Sequence, residues 1–101
     1  MKIIQEIEDH IHDELKSGKK YIKCALKYKD ENPKLGDMYY QLSMDTMLSV
    51  DRLHKMVVAI IEEYRLKNGE PPKEMLAVYN YLHDKEIEKS KTIKNMQSMY
   101  K

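Results

Sequence analysis

All three prolines of this chain lie in two short stretches, Asp30-Glu31-Asn32-Pro33 and Asn68-Gly69-Glu70-Pro71-Pro72. Proline removes a backbone donor and clashes with the preceding turn, so it is tolerated at the start of a helix and not in its interior. Asn32 is suited to cap a helix whose first residue is Pro33. Gly69 suits the positive-φ residue that ends a helix, and Pro71 and Pro72 open the next one. Between these breaks the residues recur at steps of three and four, not in alternation, which argues for helices and against strands. The spacing predicts helices over about 2–29, 33–67 and 72–100, and residues 1–101 are read as a single all-α domain. Short connections between long helices imply an antiparallel up-down-up bundle.

The first predicted helix carries Ile4, Ile7, Ile11, Leu15, Gly18, Ile22 and Ala25 on one stripe. Its first half is acidic and its second half basic, an order that complements the helix dipole. Gly18 costs about 1 kcal/mol relative to alanine in a helix interior. Its place on the stripe is explained if a neighbouring helix approaches closely there. The second helix has the widest apolar face, including Leu35, Tyr39, Leu42, Leu53, Val57, Ile60, Ile61 and Tyr64, and is expected to be central. A helix that long, in a bundle of only three, leaves apolar surface uncovered. A homodimer or higher oligomer is therefore expected to complete the core.

Charge and composition exclude several functions. Lys and Arg number 18 and Asp and Glu 17, a formal net charge of +1, which argues against a nucleic-acid or anionic-membrane partner. The lysine run Lys16, Lys19, Lys20, Lys23 and Lys27 reads as a solvated helix face. The start of the chain has charges where a signal peptide needs an apolar run, and no stretch is long enough to span a membrane. One cysteine, Cys24, excludes an intrachain disulfide and points to a reduced, cytoplasmic protein. No glycine-rich phosphate loop is present, and no histidine stands at a telling distance from Cys24.

The informative residues are ionisable side chains that fall within the apolar faces. They are Glu14 on the first helix, with His10 one turn earlier, and His54 on the second, with Asp51 three residues before it. On the third helix they are Glu86, with His83 three residues before it. A buried carboxylate without a partner is costly, and either its pKa rises or something pairs with it. A divalent metal is one such partner, and carboxylates with imidazole suit iron, manganese or zinc. Spacing of i, i+3 sets Asp51 and His54 on one side of their helix. The bland alternative is a buried polar network paired with Lys, Arg or the hydroxyls of the eight tyrosines.

These residues resemble the ferritin-like superfamily, and most closely its rubrerythrin-type members, whose diiron sites lie between antiparallel helices. Glu14, followed by Tyr21 and Ala25, is similar to the first-helix pattern. Asp51-Arg52-Leu53-His54 resembles the Glu-x-x-His pair with Asp in place of Glu, and Glu86 matches the third-helix glutamate. The resemblance implies a metal site of Glu14, Asp51, His54 and Glu86, with His83, His10 or Tyr21 as further ligand or supporting donor. It implies no organic cofactor, and with iron bound it implies iron oxidation or peroxide chemistry. The chain departs from the family in having three helices, so missing ligands would come from a second subunit, from water or from a histidine. The competing reading is a non-catalytic helical module for oligomerisation or protein interaction, suggested by the wide face of the second helix and by Met38, Met44, Met56, Met96 and Met99.

Overall fold

The computed structural model describes residues 2–101. Among them are three helices and no strands: α1 (Lys2–Tyr28), α2 (Pro33–Asn68) and α3 (Lys73–Tyr100). The breaks lie where the prolines place them. The Asn32 side chain accepts a hydrogen bond from the Leu35 amide at 3.3 Å, and Pro33 opens α2. At the other end of α2, Gly69 has φ 79° and donates its amide to the Arg65 carbonyl at 3.0 Å. A side chain at that φ is strained, so glycine is the natural residue there.

The buried residues of α1 are Ile4, Glu8, Ile11, Leu15, Gly18, Ile22 and Ala25, spaced by four and three in strict alternation. Tyr79, His83, Glu86, Ser90, Ile93, Gln97 and Tyr100 continue the same alternation along α3, each buried or half-buried. On α2, Gly36, Ser43, Val50 and Val57 recur every seven residues and all are buried. A seven-residue repeat keeps one seam against a neighbouring helix as the helices wind round one another.

Two apolar clusters result. The larger joins Ile4, Ile11 and Leu15 of α1 to Met47, Val50, Val57 and Ile61 of α2 and Ile93 of α3. The smaller gathers Ile22, Ala25 and Tyr100, with Tyr39, Tyr40 and Met96 packed around them. Between them lies a polar layer with every partner in place. The Ser43 hydroxyl donates to the Gly18 carbonyl at 2.9 Å, and the Gln97 amide donates to Ser43 Oγ at 3.0 Å. A Cβ on Gly18 would stand 3.3 Å from Thr46 Cγ2 and 3.7 Å from Ile93 Cδ1, so the close approach expected at Gly18 is real.

The central helix is α1, not α2. It packs closely along α2 and also against α3, whereas the α2 and α3 backbones come close at few places and meet mainly through side chains. The wide apolar face of α2 is only partly used: Leu48, Met56 and Val58 remain exposed. The assembly is slender, 55 × 19 × 18 Å.

The corner where α1 turns into α2 is held by α3. Tyr100 stacks on Tyr40 with ring centroids 4.7 Å apart and donates its hydroxyl to Asp37. That hydrogen bond, and then burial, push the Tyr100 phenol up to about 12. A Cβ on Gly36 would lie 2.9 Å from the Tyr100 hydroxyl, 3.2 Å from Lys29 Cα and 3.3 Å from the Ala25 carbonyl oxygen. Two of those neighbours are backbone and cannot swing away. Gly36→Ala, which by helix propensity alone would stabilise by about 1 kcal/mol, is expected instead to destabilise by roughly 1–3 kcal/mol. Thermal unfolding of the variant checks the sign.

Candidate functional site

Toward the α1 N-terminal half the same seams carry a second polar layer, of opposite character. Glu8 takes a core position on α1 between Ile4 and Ile11 and is 7% exposed. Tyr79, His83 and Glu86 hold three successive seam positions on α3, and His54 faces them from α2. The His54 and His83 rings stack nearly parallel, centroids 4.6 Å apart and 14° between planes, and Tyr79 extends the stack at 5.8 Å from His83. Two buried oxygens in this layer, Glu8 Oε1 and Glu86 Oε2, accept no hydrogen bond from any other residue, and the two carboxyls meet each other. Among the described residues no lysine or arginine forms an ion pair with either glutamate.

Electrostatics follow from that arrangement. Burial pushes the Glu86 carboxyl up to about 9, reinforced by the adjacent Glu8 as hydrogen-bond partner and as like charge, with Lys89 opposing. Two like carboxyls in a low-dielectric site cannot both ionise cheaply. Burial also lowers the His54 pKa, helped by His83 and opposed by Glu8 and Asp51, so near neutrality His54 is an uncharged imidazole with a lone pair. Burial raises the Tyr79 phenol, with Glu8 and Glu86 adding to it.

Two cavities flank the layer. Asp51, His54, His83 and Glu86 line a cleft of about 310 Å³ that opens between α2 and α3, with Val50, Ile11 and Ile87 as its apolar walls. On the other side, Glu8 lines a cavity of about 370 Å³ among apolar side chains of all three helices.

Four of the residues expected from the sequence therefore meet: Asp51, His54, His83 and Glu86. The other three lie apart. Glu14 is half-buried on the flank of α1 beside Leu15, and His10 is exposed. Tyr21 stacks on Tyr39 at 6.3 Å, toward the opposite end of the bundle. The α1 carboxylate that the packing buries is Glu8, which reads as one of an acidic run until its seven-residue spacing to Leu15 and Ile22 is noticed.

Among the described residues, no group of three or more His, Cys, Asp or Glu side chains is arranged to hold a metal ion. The stack gives a reason: the in-plane lone pairs of two parallel imidazoles run side by side and do not converge on one point. No helix among the described residues is long and apolar enough to cross a membrane. No family model matches the chain, and no curated protein or solved structure is significantly similar to it.

The raised Glu86 pKa carries a stability consequence. Between its ordinary value of 4.5 and about 9 the folded chain keeps a proton that the unfolded chain releases, so stability falls as pH rises through that window. His54, lowered from 6.5, acts in the opposite sense, and only below about that value. In metal-free protein the melting temperature is expected to fall steadily from about pH 7 to pH 9, and Glu86→Gln to flatten that fall. An equally steep decline in the variant would place the proton elsewhere.

Proposed function

We propose that this protein is a ferritin-like, up-down-up helical bundle that holds a divalent metal ion in the α2/α3 cleft through Asp51, His54, His83 and Glu86. The observation that carries the proposal is that Glu86, whose buried carboxyl is met by no residue but Glu8, lines a cleft with two imidazoles and a second carboxylate. Asp51 and His54 stand three residues apart on α2, and His83 and Glu86 three residues apart on α3, so each helix offers an oxygen–nitrogen pair on one side. Mixed carboxylate and imidazole donors suit iron, manganese or zinc. Glu8 backs Glu86 and takes the place that the family resemblance gives to Glu14.

The up-down-up reading is supported by the order of contacts. The Gly18 position meets Thr46 and Ile93, and Lys29, at the end of α1, reaches the Met99 carbonyl. His12 meets Lys89 at 3.3 Å. Positions on α1 and α3 thus advance together.

To hold an ion, one ring of the stacked His54–His83 pair would have to turn its lone pair toward the cleft, with the other ring as support. Neutral His54 needs no proton removed to ligate, while Glu86 must lose one. Iron there would supply the iron-oxidation or peroxide chemistry that the resemblance implies. A homodimer is part of the proposal: Leu48, Met56 and Val58 of α2 and Ile87 of α3, at the cleft, are exposed apolar side chains that a second copy would cover. The proposal puts the protein in the cytoplasm, where lone Cys24 stays reduced.

The test is metal content after anaerobic reconstitution with ferrous iron, manganese or zinc, followed by desalting. About one ion per chain is expected, with affinity rising toward pH 9 as the competing proton leaves Glu86. Glu86→Gln and His54→Ala are expected to weaken uptake by at least about ten-fold. Protein that retains no metal at any pH overturns the proposal and leaves a helical interaction module as the reading of the exposed α2 face.

A further inference from the structure

Lys16 and Lys19 belong to a run that reads in the sequence as a solvated helix face. In the fold a lysine of another helix joins them. With His12 and Leu15 they make the α1 wall of a cavity of about 230 Å³, and Lys89, Thr92 and Ile93 make its α3 wall. The five polar side chains are exposed, whereas Leu15 and Ile93 belong to the buried core. No carboxylate is on the lining. Asp9, Asp13, Glu86 and Glu88, each within a turn of these groups on the same helices, lie outside it, although Glu86 acts on Lys89 from there.

The wall offers hydrogens and lacks an acceptor. Among the described residues none of Lys16, Lys19 and Lys89 forms an ion pair. Lys89 Nζ lies 3.3 Å from His12 Nδ1. An ammonium can only donate, so Nδ1 accepts and the hydrogen of the ring sits on Nε2. The Thr92 hydroxyl already donates to the Glu88 carbonyl at 3.1 Å. One exposed ammonium holds an anion weakly, but several around one cavity act together.

The net charge of +1 leaves little long-range field to gather a polyanion, so the excess of positive charge here is local. It fits a small group that concentrates negative charge. A phosphate ester carries about −1.5 to −2 at pH 7 on three strong acceptor oxygens, and lysine binds phosphate as a point charge. The volume is below the roughly 300–1,000 Å³ of drug-sized sites, which restricts the occupant's size. Aliphatic lysine stems suit its organic part.

We propose that this α1/α3 cavity binds a small phosphate monoester, its phosphoryl oxygens held by Lys16, Lys19 and Lys89. The site shares no lining residue with the α2/α3 cleft and does not depend on whether the cleft takes a metal.

The test uses the full chain, freed of metal with a chelator so that phosphate cannot report on the cleft. The probes are phenyl phosphate and benzenesulfonate, which share a ring and three terminal oxygens and differ in charge. Salt is held at about 0.1 M, where charges beyond about 10 Å are screened. Titration followed by the methyl shifts of Leu15 and Ile93 is expected to show phenyl phosphate bound at least about five-fold tighter than benzenesulfonate. Lys89→Gln and the double variant Lys16→Gln/Lys19→Gln should each remove that preference. Lys73→Gln, at an exposed lysine outside the cavity, should keep it. Because the two probes are compared on the unaltered chain, the result stands even if a variant fails to fold. A further gain on vesicles carrying phosphatidate makes a lipid headgroup the source of the phosphate, and no gain makes it a soluble ester. Equal affinity for the two probes overturns the proposal, as does equal weakening by Lys73→Gln. Binding of an oligonucleotide without a terminal phosphate, with none of phenyl phosphate, also overturns it.

Discussion

Everything in this bundle hangs on the α1 seam. Ile11, Leu15, Ile22 and Ala25 are all but completely removed from solvent, and each large aliphatic side chain so buried contributes about 1.5–3 kcal/mol. α1 is the only helix that packs extensively on both others, so the register of α2 and the register of α3 are both read from it. Gly18 lets that happen at close range. It has no side chain to hold Thr46 and Ile93 away, and its carbonyl is the acceptor for Ser43. The roughly 1 kcal/mol that glycine costs a helix is offset by a buried hydrogen bond and by close packing on both sides.

The same seam explains why there are two polar layers of different kinds. In the Ser43–Gln97 layer the groups are neutral, and donors and acceptors are matched. Such a layer fixes register without needing anything from outside. The Glu8–Glu86 layer holds two carboxyls, two imidazoles and a phenol, with two buried oxygens unmatched. A half-satisfied buried network is worse than an apolar one. Its presence at core positions of a helix that otherwise uses Ile and Leu is stability given up for something. A proton kept on Glu86 and shared with Glu8 recovers part of it.

Much of the architecture is legible in the residues. Proline and glycine chemistry sets both breaks, and the observed helix ends, Tyr28, Asn68 and Lys73, differ from the expected ones by a single residue. Gly18 announces a close approach. His54, His83 and Glu86 interrupt their stripes visibly enough to be found. What the residues hide is phase. On a straight helix at 100° per residue, Glu8 and Glu14 fall on opposite flanks of the α1 stripe at similar angles. A seven-residue seam drifts from that straight phase by about 20° per heptad. That drift carries the seam toward Glu8 and away from Glu14. The rank of the helices is hidden too. α2 is the most apolar, yet hydrophobicity does not say how much of a face finds a partner, and Leu48, Met56 and Val58 find none within the chain.

The cleft between α2 and α3 shapes the polar layer as much as the buried glutamates do. Were α2 and α3 packed as tightly as α1 and α2, the His54–His83 stack would be sealed and Asp51 would have no access to it. Instead the cleft stays open between α2 and α3, with Ile11 of α1 among its walls. An open cleft has a second effect. It keeps Glu86 only half-buried, so its raised pKa, about 9, stays within the range that solution conditions reach. Glu8, closed in by Ile4 and Ile11 along its own helix, has no such outlet on the cleft side.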